Sequence, residues 1–177
     1  YIDRLAQYVS DAEQHNIYTV VTLVYIPQNV YWHNYSKQFP PRDRAWAGSW
    51  NAEFLTIDGQ AAFAQYASLL AAGLKSRLSK DAQNAVVVSL QNEFFLQGDQ
   101  YPFSSHNTSV MLGNGIKYDM SDAAARQQAA DANTNLWATK ARAKIQASLP
   151  TTLVTVGVFT FHAVHKAGPN GLLAPNG

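Results

Sequence analysis

Asn92 and Glu93 stand side by side at the end of the apolar run VVVSLQ (86–91). A carboxylate is costly in an apolar environment unless it is paired, so its position needs a reason. Spacing alone leaves three readings open. Glu93 could cap the next segment or pair with a cation, it could bind a metal, or it could act as a general acid or base. The metal reading has little to draw on. Cysteine is absent and the histidines are scattered at 15, 33, 106, 162 and 165, with only His162 and His165 close together. Most H-x-x-H spacings at a strand end are loop histidines rather than ligands.

Aromatic residues gather around the same chemistry. The stretch before Asp58 carries Tyr25, Tyr31, Trp32, His33, Tyr35, Phe39, Trp46, Trp50 and Phe54, and the stretch after Glu93 carries Phe94, Phe95, Tyr101, Phe103 and Tyr118. Any single one of them can pack a loop onto the body of the fold. As a group, interleaved with Asn, Gln and Asp, they suit sugar rings, whose faces are apolar and whose edges are hydroxyls.

Other chemistries find no residues to carry them. There is no G-x-S-x-G elbow and no G-x-x-x-x-G-K-[ST] phosphate loop, and the GNG at 113–115 lacks the strand-then-helix setting of a dinucleotide site. The net charge of +1, with no cluster of Lys and Arg, argues against a nucleic-acid partner. No apolar run approaches the ~18 residues of a membrane span. NYS (34–36) and NTS (107–109) match the N-glycosylation pattern, which often arises by chance. At 47% hydrophobic and 14% charged residues, the 177-residue chain has the composition of one folded domain.

The elements that must position Asn92 and Glu93 follow from periodicity. Ile2, Leu5, Ala6, Val9 and Ala12 predict a helix over 1–15, with Asn16 as its stop. IYTVVTLVY (17–25) reads as a strand buried on both faces. A long loop, 26–57, leads to a helix capped by Asp58, with Phe63, Tyr66, Leu70, Leu74 and Leu78 inward. AVVVSLQ (85–91) is the second strand and is followed by a loop over 92–120. Ser121 is the expected cap of a helix that turns Ala125, Ala132, Leu136, Ala141 and Ile145 inward and stops at Pro150. TLVTVGVF (152–159) is the third strand. The order α-β-α-β-α-β predicts an α/β fold with parallel strands joined by right-handed crossovers. Strand-to-helix links run to roughly 30 residues against the ~2–6 that suffice, so long loops collect where α/β folds place ligand sites, and Glu93 lies there.

The segments YIDRLAQYVSDAEQHNIYTVVTLVY and FAQYASLLAAGLKSRLSKDAQNAVVVSLQNEFF, and then ARQQAADANTNLWATKARAKIQASLPTTLVTVGVF, resemble the middle of a cellulase-like (β/α)8 glycoside hydrolase. The nearest pattern is glycoside hydrolase family 5 and its relatives in the same clan. Their most specific element, N-E after a V-V-x-S-L-type strand, marks the end of the fourth barrel strand. The resemblance covers nearly the whole chain and implies a TIM barrel, of which residues 1–177 form part of a single catalytic domain, about strands 3 to 5 with flanking helices.

On this resemblance Glu93 is the acid/base of a retaining enzyme acting on β-linked glycans or glycosides. Asn92 is the amide that holds the sugar hydroxyl beside the scissile bond. Trp32, His33, Trp46, Trp50 and His162 are substrate-side candidates. The partners implied are an oligo- or polysaccharide and the remainder of the barrel, in the same polypeptide or a complementing chain; no cofactor, metal, nucleic acid or membrane is called for. Secretion or another extracytoplasmic setting is the expectation for a polysaccharide hydrolase.

Two departures stand out. TLVYIPQN offers Tyr25 and Asn29 where many members end the third strand near a histidine. No Asp or Glu follows Asp131, so the nucleophile is expected on barrel strands outside this chain. Glu53 and Asp99 are the local carboxylates that could substitute. The opening at Tyr1 and the tail GLLAPNG predict a segment of a longer polypeptide, inactive alone. The rival function is a non-catalytic carbohydrate-binding barrel that keeps the aromatic cleft.

Overall fold

The structure is a computed structural model and describes residues 1–23 and 49–158. Helix α1 (Ile2–Gln14) leads into strand β1 (Thr19–Thr22); α2 (Ala52–Leu55) and α3 (Ile57–Lys75) follow, then a single turn α4 (Lys80–Asn84) and β2 (Val86–Ser89). A hairpin of β3 (Ser109–Met111) and β4 (Lys117–Asp119) precedes the long helix α5 (Ala123–Ser148) and β5 (Leu153–Thr155). The protein is a mixed α/β fold around a small parallel sheet ordered β1-β2-β5.

Register sorts the sheet into two unlike faces. Val21, Val88 and Val154 lie abreast, and their row packs into one apolar cluster with Ala6 and Val9 of α1, Leu70 and Leu74 of α3, and Trp137 and Ile145 of α5. The alternate row holds Val20, Val87 and Leu153, of which Val20 is 59% and Leu153 70% exposed. Crossovers that step the same way, with the usual right hand, put the described helices on one side of the sheet, which accounts for the asymmetry.

An aromatic knot fills the space between the helices and the sheet. Phe54 meets Phe94 at 4.8 Å and Trp137 at 5.0 Å, both edge-on, and Trp137 stacks on Phe94 at 5.6 Å. Each such pair adds about 0.5–1.5 kcal/mol beyond the area it buries. Gln60 and Asn133, both fully buried, are satisfied within the same layer. The Gln60 amide donates to the carbonyls of Phe54 (2.9 Å) and Asn133 (3.0 Å), and its oxygen accepts from Lys140 Nζ (2.8 Å).

Several local expectations are corrected. The cap of α3 is Thr56, whose hydroxyl accepts from Gly59 N–H (3.0 Å), and Asp58 falls in the first turn. The cap of α5 is Asp122, which accepts from Ala124 and Ala125; Ser121 is already engaged, its N–H and hydroxyl both donating to Asp119. Ala141 and Ile145 face inward on α5 as expected, but Ala132 is exposed and Leu136 half-buried, because the face is centred on Trp137 and includes Asn133 and Gln127. Their polarity conceals the face from a hydrophobic pattern. The strands are also shorter than their β-branched runs, and the loop predicted over 92–120 contains the hairpin.

Candidate functional site

Glu93 lies where the ladder between the ends of β2 and β5 is interrupted. Ser89 pairs with Thr155, and Phe94 with Val158, so one strand advances five residues (89 to 94) while its neighbour advances three (155 to 158). Leu90 N–H donates to the Thr155 carbonyl (2.8 Å) in regular fashion. A continuing ladder would then place Asn92 N–H on the Gly157 carbonyl. Instead that carbonyl accepts from Phe94 N–H (2.7 Å), while Gly157 N–H donates to the Gln91 carbonyl (2.9 Å). Asn92 and Glu93 are the excess. They form a β-bulge in a parallel pair, an uncommon device that re-aims side chains and recurs beside active sites.

Glu93 adopts φ 50, in the left-handed region. For a residue with a Cβ this costs about 1–2 kcal/mol, and Glu lacks the short amide or carboxylate that lets Asn and Asp bond their own backbone there. Both Asn92 and Glu93 are exposed. Among the described residues the Glu93 carboxylate has no hydrogen-bond or ion-pair partner, so the reading of Glu93 as a cap or ion-pair residue gains nothing from them.

The residues just after Glu93 are held by the segment before α2. Asn51 and Gln97 clasp each other: the Asn51 amide donates to the Gln97 carbonyl (2.6 Å), and Gln97 N–H donates to Asn51 Oδ1 (2.8 Å). Trp50 Nε1 donates to the Phe95 carbonyl (2.8 Å), and its ring stacks on Phe95 at 5.6 Å. Trp50, a substrate-side candidate, thus has a packing role that ties two loops together. Trp32, His33, Trp46 and His162 lie outside the described residues, as do Tyr25 and Asn29.

The two local carboxylates differ. Asp99 is exposed on the loop after Glu93. Glu53 is 8% exposed, and burial pushes its carboxyl from the ordinary 4.5 up to about 8. Among the described residues no hydrogen bond reaches it. At neutral pH it is therefore a protonated acid, the wrong state for a nucleophile. It also contributes to raising the nearby Tyr66 phenol, behind burial and the Tyr1 phenol.

Gly157 escapes a search for reactive side chains, although a lone glycine inside a strand pattern (TVGVF) signals close approach of another backbone. A Cβ there would sit 3.1 Å from the Gln91 carbonyl oxygen and 3.7 Å from Asn92 Cα.

Comparison with known protein families, curated proteins and solved structures finds no match to this chain.

Proposed function

We infer that this chain is the central part of a cellulase-like (β/α)8 glycoside hydrolase, of family 5 or a close relative, that cleaves β-linked glycans or glycosides with retention. The observation that carries the reading is Glu93: a glutamate in a left-handed bulge at the C-terminal end of a parallel strand, its carboxylate without a partner among the described residues. Strain kept without local benefit clusters at active sites, ligand clamps and switch regions. The row of Val20, Val87 and Leu153, with Val20 and Leu153 exposed and Val87 half-buried, supports the barrel, because parallel sheets are normally covered on both faces and a barrel closes such a row into its interior.

In this reading Glu93 protonates the leaving oxygen and then, as a base, takes a proton from the water that hydrolyses the glycosyl-enzyme. Asn92 donates to the sugar hydroxyl beside the scissile bond. Trp32, His33, Trp46, Trp50 and His162 remain the substrate-side candidates. The nucleophile comes from further barrel strands, in the same polypeptide or a complementing chain, with its carboxylate about 5–5.5 Å from Glu93. The protein acts outside the cytoplasm, where polysaccharides are met.

Turnover of β-glucan, β-mannan and aryl β-glycosides by the full-length protein and its Glu93→Gln variant tests this. Lost turnover with sugar binding preserved supports the hydrolase. Sugar binding without turnover in either protein would mean a carbohydrate-binding barrel instead.

A further inference from the structure

Left-handed backbone at a glutamate persists only where the surroundings over-determine it. Around Glu93 those surroundings are few. The Gln91 carbonyl, where the bulge begins, accepts from Gly157 N–H (2.9 Å) and from the Ser89 hydroxyl (3.0 Å). Phe94 N–H, where the bulge ends, donates to the Gly157 carbonyl (2.7 Å). One residue beside the bulge, Gly157, therefore grips both of its ends, and one buried hydroxyl on β2 itself, that of Ser89, seconds the first grip.

We propose that Gly157 and Ser89 are positioning residues for Glu93, selecting the bulged register that aims its carboxylate. The alternative is a ladder that runs on without the bulge, and it would displace Glu93 by two residues, roughly 6–7 Å along the strand. Two features oppose that slip. Ser89 turns back onto the Gln91 carbonyl and fixes it toward Gly157. Gly157 does not have a left-handed φ itself, so its lack of a side chain serves close approach: a Cβ would stand 3.1 Å from Gln91 O and 3.6 Å from Glu93 N, which forces the bulge outward.

The consequence for chemistry rests on Glu93 being the general acid proposed above. A misplaced acid harms substrates in proportion to their need for a proton. Phenyl glycosides have a poor leaving group and need it; dinitrophenyl glycosides leave as a stable anion and hardly do. In the full-length protein, Gly157→Ala should lower kcat/KM on the phenyl substrate by about 10–100-fold and on the dinitrophenyl substrate by less than about threefold. Ser89→Ala should split the two substrates in the same direction, more weakly, and it carries the test if Gly157→Ala does not fold. Equal losses on both substrates, or no loss, would overturn the positioning role.

A melting-temperature cycle reads the same grip without substrate, so the clamp can be judged even if no glycoside is cleaved. The loss on Ser89→Ala or Gly157→Ala should be smaller in a Glu93→Gly background by about 2–4 °C, because glycine lets the bulge readjust. Additive losses would sink the clamp while leaving the hydrolase reading untouched.

Discussion

Two residues with side chains have left-handed backbone among the described residues, one at each end of the parallel sheet: Asn16 at φ 58 and Glu93 at φ 50. Asn16 ends α1. Its N–H donates to the Glu13 carbonyl (2.8 Å), and Ile17 N–H donates to Ala12 (3.0 Å), which is the paired bonding of a Schellman cap. Asparagine is the residue type that best tolerates that conformation after glycine. Everything about Asn16 is repaid locally by two satisfied helix carbonyls. Glu93 has the wrong residue type and no bond of its own carboxylate among the described residues, and it depends on a neighbouring strand to hold it. Similar dihedrals thus stand in unlike settings: one ends a helix, the other lies in a bulge beside a parallel strand.

The contrast can be broken at several strengths. Glu93→Gln should reduce glycoside turnover by about 10²–10⁴-fold, the usual worth of a general acid/base, with sugar affinity kept; the check is steady-state kinetics beside calorimetric binding. No polar substitution of Asn16 should touch turnover. The floor beneath Glu93 comes next. Trp137 stacks on Phe94, the neighbour of Glu93, so Trp137→Ala should cost about 3–5 kcal/mol in urea unfolding.

Glu53 sharpens the comparison from a third direction, as a carboxyl that is buried rather than strained. Its folded-state pKa of about 8 exceeds the ordinary 4.5, so the folded protein holds the proton more tightly between those values. Its contribution is complete below about pH 4.5 and is lost as pH rises to 8. Glu53→Gln should flatten that slope and leave the variant more stable at pH 8 by roughly 2–4 kcal/mol, read from unfolding midpoints across pH.

The smallest effects separate the two left-handed sites most directly. Glu93→Gly should raise stability by about 1 kcal/mol, since the strain disappears. Asn16→Gly should stay within a few tenths, and Asn16→Ala should lose about 1 kcal/mol. A loss of stability on Glu93→Gly would mean that the glutamate is repaid after all.

Much of the scaffold could be read in advance because its signals are periodic. The runs at 17–25, 85–91 and 152–159 contain the three parallel strands, and Phe63, Leu70, Leu74 and Leu78 do form the buried face expected of α3 and the turn after it. The hairpin could not be read: SVM and KYD are too short for alternation to register. The site was legible in part. Asn92-Glu93 announced themselves by polarity at a strand end, but a bulge is a relation between two strands, and nothing local distinguishes a glutamate at φ 50 from one at a regular position. Ser89 and Gly157 both read simply as strand residues, and only the register connects them.

The sheet order β1-β2-β5 has a consequence for how the molecule comes into being. Each parallel pair joins strands that are successive in this sheet but far apart along the chain, Val21 with Val88 and Val88 with Val154, so the sheet can grow in the order of synthesis only as each long connection closes. The described helices dock on one side as they appear. Until its alternate row is covered, the growing sheet presents Val20 and Leu153 to solvent, together with the edges of β1 and β5, which are unpaired among the described residues. That makes the half-built state the one most prone to aggregate, and the one in which a chaperone has most to hold.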